Sequence, residues 1–335
     1  MKTNTLATLI LGLTVMALAP SQIDAAQLLA GEREAVVTAI PGIVAAGAEW
    51  ELIWADFETA DGIVGTPDGG VLFAQEQTNT IIKLDANDEP HVFLADTNGT
   101  GAVSVDNEGR VFGVQRTCTD SALPFYESCQ ELTRVSMMYP ERRVLANSFA
   151  DGRPFGRVND LITDGNGGAY FTVGGAFYVN SEGQVSTVAD QDIRSNGIML
   201  SPDGQTLYVT NNTDVLAFDV QADGTTTNRR DFGSLDGDNG GDGMAIDSEG
   251  RLYVTANAGI HILSSDGEHL GVIPTPRRSI TMAFSGPDKR TIYVPMMGAV
   301  GPDGQPWETL PGVRNTGMTI YKLRLEAEGY QGRPK

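Results

Sequence analysis

Four side chains at matching places in separate copies of a repeated segment could do chemistry together: Asp61, Asn159, Asn196 and Asp242. Two carboxylates and two neutral amides make a set of hard oxygen donors. Such a set suits Ca²⁺ better than a soft-ligand zinc site, with Zn²⁺, Mn²⁺ and Mg²⁺ as the alternatives. The plainer reading is that Asp-Gly, Asn-Gly and Asn-Asp are turn dipeptides at the start of hairpins. Turn chemistry does not by itself require four such residues to meet around one axis, so their recurrence favours convergence. The other two matching positions hold Gly101 and Ile280, which offer no donor.

The segment that must position these residues is clearest in DGMAIDSEGRLYVT, starting at Asp242. Apolar residues alternate at Met244 and Ile246, a turn follows at Asp247–Gly250, and a second alternating run covers Leu252–Val254. Period-two alternation around an Asp/Ser/Gly cluster predicts a half-buried hairpin. The unit recurs as DGIVGTPDGGVLFA from Asp61, GAVSVDNEGRVFGV from Gly101, NDLITDGNGGAYFT from Asn159 and NGIMLSPDGQTLYVT from Asn196. A looser copy, ITMAFSGPDKRTIYV, starts at Ile280. A period of roughly 40 residues is that of propeller blades. The step from opening residue to turn glycine is constant in Asp61/Gly69, Gly101/Gly109, Asn159/Gly167, Asn196/Gly204 and Asp242/Gly250.

Two further strand-like runs follow most copies, so each blade has about four strands. The expected fold is an all-β, six-bladed β-propeller with four antiparallel strands per blade. The run WELIW at Trp50–Trp54 has no blade of its own, and we expect it to join the last blade and close the ring. An open solenoid would need its edges protected, and no capping segment is evident. First strands line a propeller's channel, so the opening residues should surround one mouth.

The chain has 335 residues. Lys2 precedes an apolar run from Leu6 to Ala19 and small residues at Ala25 and Ala26. That is the layout of a secretory signal peptide, with an apolar middle short for a membrane span. The expected organisation is a signal over 1–25, an Ala/Val-rich arm over 26–47 and the propeller over 48–335. The destination is the periplasm or the exterior. A net charge of −20 argues against nucleic acid, because nothing here would neutralise phosphates. Cys118 and Cys129 are expected to pair in an exported protein and to stiffen an inserted loop, contributing ~3 kcal/mol. A redox or metal role has no CxxC and no neighbouring His to support it.

GRVNDLITDGNGGAYF, SNGIMLSPDGQTLYVTNN and GDGMAIDSEGRLYV resemble the regucalcin/gluconolactonase-like (senescence-marker) family of calcium-dependent, six-bladed propeller lactonases. The resemblance covers roughly Asp61 to Val294. It implies that Asn196 and Asp242 are direct metal ligands. It also implies that Asn159 contacts metal, water or substrate, with Arg157 and Asp160 beside it. The family's third ligand is a Glu opening an EGP box; here the box reads ADGIVG, so Asp61 stands in its place and Ile63 replaces Pro. The shorter side chain would sit about one methylene further from an ion, and Glu58, out of register, is a substitute.

The chemistry implied is hydrolysis of a sugar lactone or similar cyclic ester. A metal would polarise the carbonyl and hold the water. Asp242 or Asp160 would take the proton, and Arg157 and Asn159 would bind substrate oxygens. The alternative is a non-catalytic propeller that keeps its metal and binds a small ligand or a protein. A strictosidine-synthase-like propeller would want a catalytic Glu deep in the channel, and the sequence offers no position for one. His91, His261 and His269 fall in outer strands or turns and are expected at the surface, which disfavours a paraoxonase-type His base. No GxSxG elbow is present, so an acyl-enzyme route lacks a nucleophile.

Overall fold

Each blade is a meander of four antiparallel strands. The computed structural model describes residues 28–56, 58–116, 133–300 and 317–332. Blade one comprises Asp61–Gly65, Val71–Gln75, Thr80–Leu84 and Pro90–Ala95, and blade two Thr100–Val105, Val111–Gln115, Arg134–Tyr139 and Arg143–Ala146. Blades three, four and five open with Leu161–Thr163, Ile198–Leu200 and Met244–Ile246 and follow the same plan. The expected signal peptide and the cysteine loop from Thr117 to Cys129 lie outside the described residues.

The last blade closes the ring as expected. Its chain-terminal strands, Ala283–Ser285, Thr291–Met297 and Met318–Arg324, are completed by Glu51–Asp56 from the start of the fold. Pairing runs antiparallel from Glu51 opposite Lys322 to Asp56 opposite Met318. The first and last strands of the propeller are thereby joined in one sheet, which closes the ring.

The alternation that predicts half-buried strands meets a different outcome. First strands of blades two to six are buried on both faces. The reason is that blades stack face to face, so the small residues between the large ones are covered by the next blade. Ala245 and Ala283 are as inaccessible as Met244. Exposure moves to the fourth strands, such as Pro90–Ala95. The segment ahead of the closing strand docks on the outside of the last two blades. Val37, Ile40, Ile43 and Val44 are buried against Ile273, Phe284 and Leu325. Burying side chains of this size contributes ~1.5–3 kcal/mol each.

Two kinds of glycine set the repeat. Gly69, Gly109, Gly167, Gly204 and Gly250 all have positive φ, which a hairpin turn needs and other residues resist. This explains the constant step to the turn. The glycine that follows Asp61, Asn196 and Asp242 is there for another reason. A Cβ on Gly62 would lie 2.2 Å from Ala102 Cα, on Gly197 2.1 Å from the Asp242 carbonyl oxygen, and on Gly243 2.4 Å from Thr281 Oγ1. The Asp-Gly and Asn-Gly pairs are therefore not turns; they mark where one blade's backbone touches the next around the axis.

Candidate active site

Each opening residue is held by the end of its blade's second strand. The Asn159 amide donates to the Thr172 carbonyl, and the Asp242 amide to that of Thr255. The Asn196 amide donates to Thr210 Oγ1 at 3.1 Å, and Thr172 Oγ1 donates to the Asn196 carbonyl at 2.6 Å. The side chains of the expected set do converge. Asn159 Nδ2 donates to Asn196 Oδ1 at 2.6 Å. Asp242 lies close enough to Asp61 and Asp160 for their charges to act on it.

At the centre of this group is a residue that the repeat pattern passes over. Arg116 follows the second strand of blade two and is almost wholly buried. Its Nη2 donates to Asp61 Oδ2 at 2.7 Å, and its Nη1 to Asn159 Oδ1 at 3.2 Å. The opening residue of its own blade is Gly101, and the reason is steric. A Cβ there would lie 1.6 Å from Arg116 Nη2. Blade two thus contributes to the mouth from its second strand, through space that its first strand leaves free.

Glu76 holds the corresponding place in blade one. Its carboxylate is buried, with Arg157 Nη1 at 3.5 Å and Arg116 Nη2 at 3.8 Å. Arg157 is its nearest side-chain donor, and neither oxygen is held by a close hydrogen bond. Burial pushes its pKa up, against the pull of Arg116 and Arg157. Burial alone would lower that of Arg116, but the Glu76 and Asp61 carboxylates outweigh this and hold it charged. Repeat alignment could have found this pair, since Gln75-Glu76 and Gln115-Arg116 are matching dipeptides. Opposite charges there on adjacent blades are the signal.

Asp242 retains some accessible surface but is enclosed by protein. Burial first, then the Asp61 charge, pushes its carboxyl up to about 8, with Arg278 pulling the other way. Asp160 has a different place. Its Oδ1 accepts from the Leu161 amide at 2.8 Å and its Oδ2 from the Ile198 amide of the next blade at 3.3 Å. It stands where other copies have the packed glycine and ties blade three to blade four. Arg157 is about one-third exposed beside Glu76. Glu58 precedes the first blade, half-buried, and feels Asp56 rather than the mouth residues.

The histidines correct one expectation. None belongs to a first strand, but only His91 is exposed. His261 is buried, with Nδ1 at 3.0 Å from His269 Nε2 and Nε2 at 3.0 Å from Asp238 Oδ2. Its alternating strand is the third of its blade and is covered on both sides, which is why the surface expectation fails.

The donor set can be tested for a divalent cation. Asp61 spends Oδ2 on Arg116 and Oδ1 on the Gly62 amide. Asn159 Oδ1 is taken by Arg116, and Asn196 Oδ1 by Asn159. Among the described residues no three His, Cys, Asp or Glu side chains form a ligand cluster. At an effective dielectric of 20, two unit charges 4 Å apart repel by ~4 kcal/mol, and a divalent ion doubles that. With Arg116 where it stands, these residues do not fit a divalent ion.

The profile of the SMP-30/Gluconolactonase/LRE-like region matches residues 42–297. The chain belongs to that family. It is 25% identical over 288 residues to the gluconolactonase of Zymomonas mobilis, covering 73% of this chain and 78% of that protein. Its fold is shared with the gluconolactonase of Xanthomonas campestris (TM-score 0.67, 19% identity, 89% of this chain and 96% of the other). The calcium-binding regucalcin of Agrobacterium tumefaciens is also similar in fold (TM-score 0.58, 17% identity, 85% and 98%).

Proposed function

We propose that this protein hydrolyses a sugar lactone, or a similar cyclic ester, at the mouth of the propeller channel. Membership of the family and the gluconolactonase among its relatives support the reaction class. The observation that carries the reading to residues is the enclosed Asp242 carboxyl, whose backbone packs against Gly197 next to Asn196 and which feels the charges of Asp61, Arg278 and Arg116. A carboxylate whose proton is held up to about 8 is a stronger base than an ordinary one, and it is strongest where water is scarce.

In the proposed step Asp242 accepts a proton from water as its oxygen adds to the lactone carbonyl carbon. The ring C–O bond then breaks and the proton passes to the departing alkoxide. The product is the open-chain hydroxy acid, and it ionises to release the acid that an assay reads. Arg157, partly exposed at the mouth, orients and polarises the substrate oxygens. Asn159 positions them beside Asn196. The spent Asp160 oxygens make Asp242 the base of choice.

Calcium dependence has its support in the calcium-binding regucalcin that shares the fold, and not in the donor set as it stands. It would require Asp61 and Asn159 to be released from Arg116. The leader through Ala25 adds export to the proposal, and N-terminal sequencing of the mature protein checks it. The reaction is tested by following acid release across a panel of aldonolactones with and without chelator. Turnover by wild type that Asp242→Asn loses supports the reading. No acid release from any lactone leaves a propeller that only binds.

A further inference from the structure

We propose that the Arg116 guanidinium occupies the cation position of this propeller, so that the mouth works without the divalent ion its ring of oxygens suggests. For the reaction this rests on the lactonase reading above; for metal exclusion it stands on geometry alone.

Three observations carry it. The first is contact: one guanidinium bridges Asp61 and Asn159, two of the expected ion-holding residues, and reaches a third residue, Asn196, through the Asn159 amide. The second is space. Gly101 leaves its side-chain position empty, and Arg116 fills it to within 1.6 Å of where a Cβ would be, so the arginine is built into the blade. At 1% exposure it has no accessible room to swing away. The third is charge. The buried Glu76 carboxylate makes no close hydrogen bond and lies 3.8 Å from Arg116 and 3.5 Å from Arg157. The Asp61 and Glu76 carboxylates thus already face Arg116, with Arg157 beside Glu76, and an added divalent ion would meet that fixed positive charge. The Asp at position 61 also fits, since the guanidinium extends from its own blade toward the shorter side chain.

Arg116 touches no substrate. It is a positioning residue that fixes Asp61 and Asn159 and supplies the permanent positive charge behind them, leaving contact with the lactone to Arg157.

The test reads metal directly, apart from activity. Full-length protein dialysed against EDTA is titrated with Ca²⁺, Mn²⁺ and Zn²⁺ by calorimetry, and its metal content is measured by plasma emission. Wild type is expected to hold no ion at the mouth. Arg116→Ala opens the site, and its affinity should rise at least about a hundredfold once a like charge a few ångströms away is gone. An ion bound by wild type and lost in Asn196→Ala overturns the proposal. An ion that survives Asn196→Ala sits elsewhere on the acidic surface and leaves the mouth metal-free as expected. Failure of folded Arg116→Ala to gain an ion also overturns it, because the arginine is then not what excludes the metal. Should that variant not fold, Arg116→Gln, which keeps most of the volume without the charge, takes its place. A protein that excludes metal yet turns over no lactone upholds this inference and sinks the lactonase reading; metal-dependent turnover does the reverse.

Discussion

Asp242 and Asp247 stand at the two ends of one short strand, Met244–Ile246, and the fold treats them in opposite ways. Asp247, at the turn, is fully buried and satisfied. Its Oδ1 accepts from the Glu249 and Arg251 amides, and its Oδ2 from Arg251 Nε at 2.6 Å and Tyr253 Oη at 3.0 Å. Blade two repeats much of this, with Asp106 accepting from the Glu108 and Arg110 amides and from Arg110 Nε. At the channel end, burial and then the Asp61 charge push the Asp242 carboxyl up to about 8. Burial therefore does not mark a functional carboxylate. A buried carboxylate with its hydrogen bonds complete, as at Asp247, is structural; one whose pKa is raised by burial and a neighbouring carboxylate, as at Asp242, is the candidate base.

The comparison can be broken at either end. The largest effect is expected from Asp242→Asn. Loss of the base should cut kcat by about 10²–10⁴-fold. The melting temperature should stay level, since a carboxyl that is mostly protonated at neutral pH is well mimicked by an amide. Both are read from acid release and a thermal scan. Asp247→Ala should do the converse. It removes the partner of the partly buried Arg251 and the buried Tyr253 and should cost about 3 kcal/mol in a urea titration, with kcat/KM unchanged. A large activity loss there would dissolve the distinction between the two ends.

Smaller effects sharpen it. The pH profile of kcat/KM, corrected for spontaneous hydrolysis in base, should rise as the proton leaves Asp242 and level off above about 8. The sign follows from the group's raised value: the active form is the deprotonated one, so each pH unit below that point costs about tenfold. An optimum below pH 6 would remove Asp242 as base. Least affected should be Asp160→Ala. Losing two backbone hydrogen bonds should cost about 1–2 kcal/mol of stability and less than tenfold in rate. A fall beyond a hundredfold would return Asp160 to the chemistry.

Much of the propeller is legible in the sequence because each blade restates the same local rules. Alternation, a positive-φ glycine and an Asx turn recur in register, and the unpaired WELIW run calls for a partner at the far end. The opening residues of the site are legible for the same reason, since Asp61, Asn159, Asn196 and Asp242 fall at one place in the repeat. Arg116 and Glu76 escape because the pattern weights first strands. Their importance depends on which side chain enters the space left by Gly101, a question of packing between blades. His261 escapes because burial of an alternating strand is decided by what covers its second face.

Residue order alone fixed the blade count, the closing strand and the four oxygens that meet at the mouth, since these follow from periodicity within a few residues. Whether those oxygens face an ion or an arginine, and which of Asp242, Asp160 and Asp247 is spent on backbone and side-chain donors of the frame, was decided only when six sheets packed around one axis. Hydrogen-bond completion and charge balance belong to the assembled interior, and no local pattern encodes them.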